Sequence, residues 1–411
     1  MTVRLLRESD IAEVADLHHR VTGGAARPPE LTAAYARWLH EAFFLDPTSA
    51  AIEAVGSLVH RDDCGAIDGF LGVSARRMRM GTQTFLAAVS SQFVVDPAAR
   101  SKLVAFALMR RFLSGPQDLS VADEANEPSS KLWRAFGGVS SHLYGTYWIR
   151  PLRPVSCAAA FGAKRTRALA LARAITAPVA RTIDELILRV PGPQRPTPPA
   201  GIRAEPLTEE GFIDLAPRFA GREALLPDHD VASLRWSLSR APAAGRGASL
   251  ERSLLRDRDG EPVGFYVATL GAGHQAQVLH LAASERAHEP VIRYLVHRAY
   301  RSGALSIGGR VQPPLMRALA GSFAFFHKAG PHVLLHARRP ELLAAFDRGV
   351  AIFSRLEGEW CMRFVDPRTG GSHGRSRLRH HGHAPLDTSR PGDRPRSRHS
   401  LPPASPTAAG A

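Results

Sequence analysis

Cysteine is scarce in this chain of 411 residues. Its three cysteines, Cys64, Cys157 and Cys361, are odd in number and far apart. That excludes a disulfide framework and the paired spacing of a zinc site, and it suits a reducing compartment. Lysine is scarce too, with only four among the 53 basic residues, so the positive charge is carried by arginine. No uninterrupted apolar run reaches the roughly 18 residues of a membrane span. The start, Met1-Thr2-Val3-Arg4-Leu5, enters a strand pattern at once and lacks the apolar core of a secretion signal. A cytoplasmic protein without a metal is the expectation from these absences.

The net charge of +15 has to be located before it is interpreted: residues 151–200 carry +6 and residues 366–411 carry +5, which leaves +4 on everything else. Neither basic stretch interleaves aromatic residues for base stacking, so specific nucleic-acid binding is not expected.

Along the chain, residues 3–6 read as a strand. Asp10 and Glu13 read as a capping box that opens a helix with Ile11, Val14, Ala15 and His18 on one face. Residues 31–45 carry a core-facing helical stripe of Tyr35, Trp38, Leu39, Phe43 and Phe44. Strands around residues 57–60 and 69–73 flank the turn Asp62-Asp63-Cys64-Gly65. Residues 85–89 lead to Phe93-Val94-Val95 and Asp96-Pro97. The polar loop Ala99-Arg100-Ser101-Lys102 follows, and a helical pattern begins at Leu103-Val104-Ala105. A strand that passes through a cationic loop into a helix start makes an anion site, because free backbone N–H groups and the positive helix end face one point. Leu119-Ser120-Val121 is a further strand. Residues 126–138 are a helix capped by Asn126 and stopped by glycine. Segments around His142-Leu143-Tyr144 and Tyr147-Trp148-Ile149 are expected to complete this sheet.

The order of strand, basic loop, long helix, strand, Asn-capped helix and Phe136-Gly137 resembles the GNAT-type N-acetyltransferase superfamily. That family's phosphate loop, Arg or Gln, two residues, Gly, one residue, Gly or Ala, aligns with Arg100, Leu103 in place of the first glycine, and Ala105. Its last segment aligns with Asn126, Ser129, Leu132, Trp133, Gly137 and Gly138. Leu103 brings a side chain where the family keeps none. Trp133 stands where the family often has a Tyr that protonates the leaving thiolate, and an indole cannot do that. The resemblance implies acyl transfer from acetyl-CoA or another acyl-CoA to an amine. Phe93, Val94, Val95, Arg100, Ser101, Lys102, Leu103, Val104, Ala105, Asn126 and Trp133 would then hold the co-substrate. The candidate bases are Asp123 and Glu124 at the end of the neighbouring strand, then His142.

Residues 151–200 form a connector. Leu171, Ile175, Val179, Ile183, Leu186 and Val190 make an apolar helical stripe, with a kink or break expected at Pro178. A bridging helix packed on its neighbours is the preferred reading over a basic amphipathic helix lying on a membrane. The pattern then restarts. Ile202-Arg203-Ala204 echoes Val3-Arg4-Leu5, and Pro262-Val263-Gly264-Phe265 parallels Ile67-Asp68-Gly69-Phe70. Residues 278–281 are its central strand and residues 290–300 its long helix. The junction before that helix carries Glu285 and Glu289 and no glycine, so this copy is not expected to hold CoA. From Asp366 onward the composition is that of a disordered Arg/His/Pro-rich tail, in which His380, His381 and His383 make no metal site.

The expected architecture is α/β: two tandem GNAT-like acyl-CoA N-acyltransferase domains, residues 1–150 and 201–365. Each is a twisted mixed sheet with helices on both faces. The basic helical linker 151–200 joins them, and the tail 366–411 follows. A tandem aminoacyltransferase resembling the Fem-type enzymes and a non-catalytic binding module of the same fold stay open as alternatives. The acceptor that the resemblance implies is a small-molecule or peptide amine, which the sequence does not identify further.

Overall fold

The structure, a computed structural model, describes residues 2–22, 29–99, 101–163, 166–190, 195–241, 248–328 and 332–365. Arg100 and the tail from residue 366, with its three histidines, lie outside the described residues. The described residues fall in one compact unit.

The first half runs β1 (Thr2–Leu5), α1 (Ile11–Thr22), α2 (Pro29–Phe43), α3 (Pro47–Ala50), β2 (Leu58–Arg61), β3 (Ile67–Met80), β4 (Gln83–Val95), α4 (Ser101–Leu113), β5 (Leu119–Ala125), α5 (Glu127–Ala135), β6 (Val139–Ser141) and β7 (Thr146–Pro151). A helical pair, α6 (Pro154–Ala163) and α7 (Arg167–Arg189), links the halves. The second half runs β8 (Arg203–Pro206), α8 (Glu209–Ala220), β9 (Leu225–Pro227), α9 (Val231–Ser239), β10 (Ser249–Arg256), β11 (Pro262–Leu270), β12 (Gln275–Ala283), α10 (His288–Arg301), β13 (Ser306–Arg310), α11 (Met316–Gly321), β14 (Phe325–Lys328), β15 (His332–Ala337) and α12 (Pro340–Asp347).

Two sheets result. The first is ordered β1-β2-β3-β4-β5-β15-β6, with β9 added beside β3, and the second, β8-β10-β11-β12-β13-β7-β14. The two orders repeat one topology, except that the last strand of each half lies in the other half's sheet. β7 sits between β13 and β14, and β15 sits between β5 and β6. The expectation that Tyr147-Trp148-Ile149 closes the first sheet is therefore corrected. A strand satisfies its backbone on either host, so local pattern defines β7 as a strand without choosing its sheet. Trp148 and Leu152 are instead buried in the second half's core with Val278 and Leu281.

Side-chain alternation puts helices on both faces of each sheet. In β3, Leu71, Val73 and Ala75 pack under α4 with Val104 and Leu108, whereas Phe70 meets Leu17, Tyr35 and Leu39 of α1 and α2. In the second sheet, Tyr266 and Ala268 face α10 while Phe265 and Val267 face α8 and α9. The halves are tied together by an irregular segment, residues 353–364. Its Leu356, Trp360 and Cys361 bury in the second half, and its Met362 and Phe364 pack in the first.

Two local expectations change. Asp10 is not the first cap of α1: it closes a preceding 3-10 turn by accepting the Arg7 N–H at 2.8 Å, and Glu13 accepts the Ile67 N–H instead. The helix α7 runs unbroken past Pro178, and its apolar stripe faces solvent rather than the neighbouring halves.

Candidate active site

β4 and β5 are parallel neighbours, paired from Ala87 opposite Leu119 to Val89 opposite Val121. Beyond that point no strand pairing joins them among the described residues, so Ser90 to Val95 and Ala122 to Ala125 part from each other. A bulge in β4 sits at the parting, where the register against β3 shifts between Phe70 and Gly72. Gln92 there has a positive φ of 51°, a conformation that side chains other than glycine rarely adopt and that recurs at functional sites. The amide of Gln92 holds this turn by accepting the Tyr35 hydroxyl at 3.1 Å. Gly72 lies opposite because a Cβ there would come within 2.5 Å of Phe43. Ser91 is buried, and its hydroxyl has no hydrogen-bond partner among the described residues.

After β4, α4 begins at Ser101, and its first N–H groups have no partner within the helix. The side chains of Ser101 and Lys102 lie outside the described residues. Leu103 is 61% exposed, so its side chain leaves the helix surface instead of filling the space before the N-terminus. Val104 is buried in the core beneath α4. Ala105 is half-buried. Phe93 and Val95 lean on the α4 core, whereas Val94 is buried on the opposite face against α1 and α2. Asn126 caps α5, accepting the Ser129 N–H at 2.9 Å. Trp133 is 1% exposed and lies edge-on to Phe112 in the core, so its indole offers no surface to a bound molecule.

The three candidate bases come out differently. Asp123 is fully buried and committed: its Oδ2 accepts from Arg310 Nη2 at 2.6 Å, and its Oδ1 accepts the Glu359 N–H at 2.7 Å. Burial opposes the charge of Arg310, but Tyr147 and Asp123 outweigh it and its pKa goes up. Glu124 is taken by Arg363. His142 is exposed beside the ammonium of Lys328, 3.3 Å away, and makes no hydrogen bond to Asp123 or Glu124 among the described residues.

The carboxylate that does reach the parted strands is one that pattern reading missed. Glu359 Oε1 accepts the backbone N–H groups of Asp123 and Glu124, each at 3.2 Å. Burial, and then the charge of Asp123, raise its pKa well above the carboxylate range. It stands next to Gly358, where any Cβ would fall 2.0 Å from Asp123 Oδ2. A glycine before a carboxylate, 236 residues from its partner, carries no sequence signal of this role.

The second half parts in the same way, since β12 and β13 pair from Gln275 opposite Ser306 to Val278 opposite Gly309 and no further. Here a cavity of about 40 Å³ is lined by Phe212, Leu281, Leu315, His229, His280 and Glu357. Glu357 accepts from the N–H and the hydroxyl of Ser354, both at 2.7 Å, and from His229 at 3.4 Å. Burial alone would raise its pKa, but His229, His280 and Ser354 bring it down to about 2. Burial pushes His280 down to about 4, so the imidazole is neutral. Glu289 sits in the first turn of α10.

A repeated strand order, two parallel strands that part, a bulge at the parting and a helix starting after it together define a known architecture. The fold is that of the GCN5-related N-acetyltransferases. A GCN5-related N-acetyltransferase from Anabaena variabilis ATCC 29413 superposes with a TM-score of 0.52 at 13% identity, over 84% of this chain and 74% of its own. A conserved protein of unknown function, probable N-acyltransferase, from Enterococcus faecalis V583 gives 0.50 at 10% identity, over 82% and 72%. Both likenesses span more of the chain than either sheet alone. No protein-family model matches the chain, and no curated protein matches it. Among the described residues no group of His, Cys, Asp or Glu could hold a metal ion. Chemically, the first half offers helix N–H groups for an anion, a strand edge for an extended chain and one carboxylate with a raised pKa.

Proposed function

We propose that this chain transfers an acyl group from an acyl-CoA to an amine in the cleft between β4 and β5. The observation that carries the proposal is Glu359, a half-buried carboxylate with a raised pKa, hydrogen-bonded to the backbone of β5 just past the point where β5 stops pairing with β4. The first N–H groups of α4, from Ser101 to Leu103, suit the pyrophosphate, and the edge at Phe93 to Val95 suits the extended arm of the co-substrate. Glu359 takes a proton from the acceptor ammonium. The freed amine attacks the thioester carbonyl carbon, the C–S bond breaks, and the surplus N–H proton of the new amide passes to the departing CoA thiolate, which leaves as the thiol.

The test is thiol release from acetyl-CoA over a panel of amines, with calorimetry of acetyl-CoA binding alongside. Glu359→Gln is expected to lower kcat/KM by about 10²- to 10⁴-fold, with the Kd of acetyl-CoA unchanged. In the native chain the rate should climb with pH through the raised pKa of Glu359. Full activity in Glu359→Gln would remove the assignment of the base. A native chain that binds no acetyl-CoA would favour a second reading, a non-catalytic module. Leu103 and the buried Trp133 at motif positions support that reading.

A further inference from the structure

The helix α7 presents its apolar side outward. Leu171, Ile175, Val179, Ile183, Leu186 and Val190 are 66%, 72%, 62%, 41%, 54% and 62% exposed. They recur at helical spacing, and the helix is continuous, so they form one stripe about 28 Å long at 1.5 Å per residue. The opposite side is anchored. Ala180 and Leu188 are buried, and Asp184 accepts the N–H groups of Val155 and Ser156 at 2.8 and 3.0 Å, which caps α6. The stripe is therefore held outward by the fold, and a contiguous apolar surface of this kind marks an interaction site.

Charge decides among the occupants. Arg189 is exposed at the edge of the stripe and Arg181 further round the helix, Glu185 is the helix's one exposed acid, and residues 151–200 carry +6. The segment from residue 366 onward is arginine-rich and nearly without large apolar residues, a composition with little to offer an apolar stripe. A second copy carries the same excess of positive charge around this helix, so pairing two stripes would bring like charge together. An anionic lipid surface accepts both features, taking aliphatic side chains into the acyl boundary and arginines at the headgroups. No helix among the described residues is long and apolar enough to cross a membrane. We propose that α7 is a surface anchor that seats the protein on an anionic bilayer, with the stripe from Leu171 to Val190 inserted.

Flotation of the full chain with vesicles tests this, using neutral phosphatidylcholine against the same lipid carrying about a third phosphatidylglycerol. Expected is binding to the anionic vesicles only, weakened by high salt. Ile175→Asp with Leu186→Asp should lower that binding at least tenfold. Both side chains are exposed, so the melting temperature should hold. The basic tail stays in this variant, so any loss belongs to α7. Equal vesicle binding by the variant would overturn the proposal, as would no binding by the native chain. So would a native dimer in light scattering that the variant converts to monomer, since that outcome assigns the stripe to a second copy.

Discussion

Asp123 and Arg310 hold the same place in two different strands, the fifth position of β5 and the fifth position of β13. They meet at 2.6 Å with side chains 0% and 2% exposed. A buried pair of this kind contributes little net stability over an apolar pair of the same volume, but removing one partner strands the other charge. Asp123→Ala is therefore expected to cost about 3–5 kcal/mol in urea unfolding. The double change Asp123→Leu with Arg310→Met should recover most of that loss. A single variant as stable as the native protein would show that Arg310 finds another partner. In the sequence Asp123 reads as a free acid at a strand end, an appropriate place for a base. What converts it into a structural residue is an arginine 187 positions away, and no local pattern reports that.

At the scale of elements, the exchange of β7 and β15 is the feature with the largest consequence. Several strands and helices of the first half announce themselves by period and caps, for instance Asn126 ahead of α5 and Gly137 at φ +82° behind it. The hosts of β7 and β15 do not, because both are short half-apolar strands that fit either sheet. An isolated first half would leave β5 and β6 without the strand between them and expose β7 as an unpaired edge. Residues 1–152 alone are expected to dimerise by exchange or aggregate, whereas mixing them with residues 195–365 should restore cooperative unfolding. The measurement is denaturation followed by fluorescence, with light scattering. A monomeric, cooperatively folding first half would show that β7 can return to its own sheet.

For the whole molecule, the buried second-half cluster sets an acid limit. His280 has its pKa pushed from 6.5 to about 4, so the unfolded chain takes up this proton first as pH falls. Its stabilising share is present above 6.5 and is lost on the way down to about 4. Glu357, lowered from 4.5 to about 2, adds a second loss below 4.5 that is complete near 2. Glu359 runs the other way, because its raised pKa favours the folded state at low pH and that share is lost as pH rises through the folded value. Acidification from about pH 7.5 to about pH 5 should cost about 2 kcal/mol through His280. The loss should vanish in His280→Gln, read from thermal unfolding at both pH values. An unchanged pH slope in that variant would place the acid limit elsewhere.

The sequence by itself determined the elements and their faces. Apolar period and capping residues mark β3, β4, α4, β5 and α5, and they mark the restart after residue 200 that becomes the second sheet. The apolar stripe of α7 was legible as well, because helical spacing alone defines it. Tertiary structure decided what those surfaces meet. It sent β7 and β15 across, buried Asp123 against Arg310, turned the α7 stripe to solvent and brought Glu359 to strands 236 residues before it. The physical reason is range. Dihedral preference and side-chain period act within about a dozen residues, whereas pairing partners and counter-charges are selected only when distant segments compete for the same space and the same hydrogen bonds.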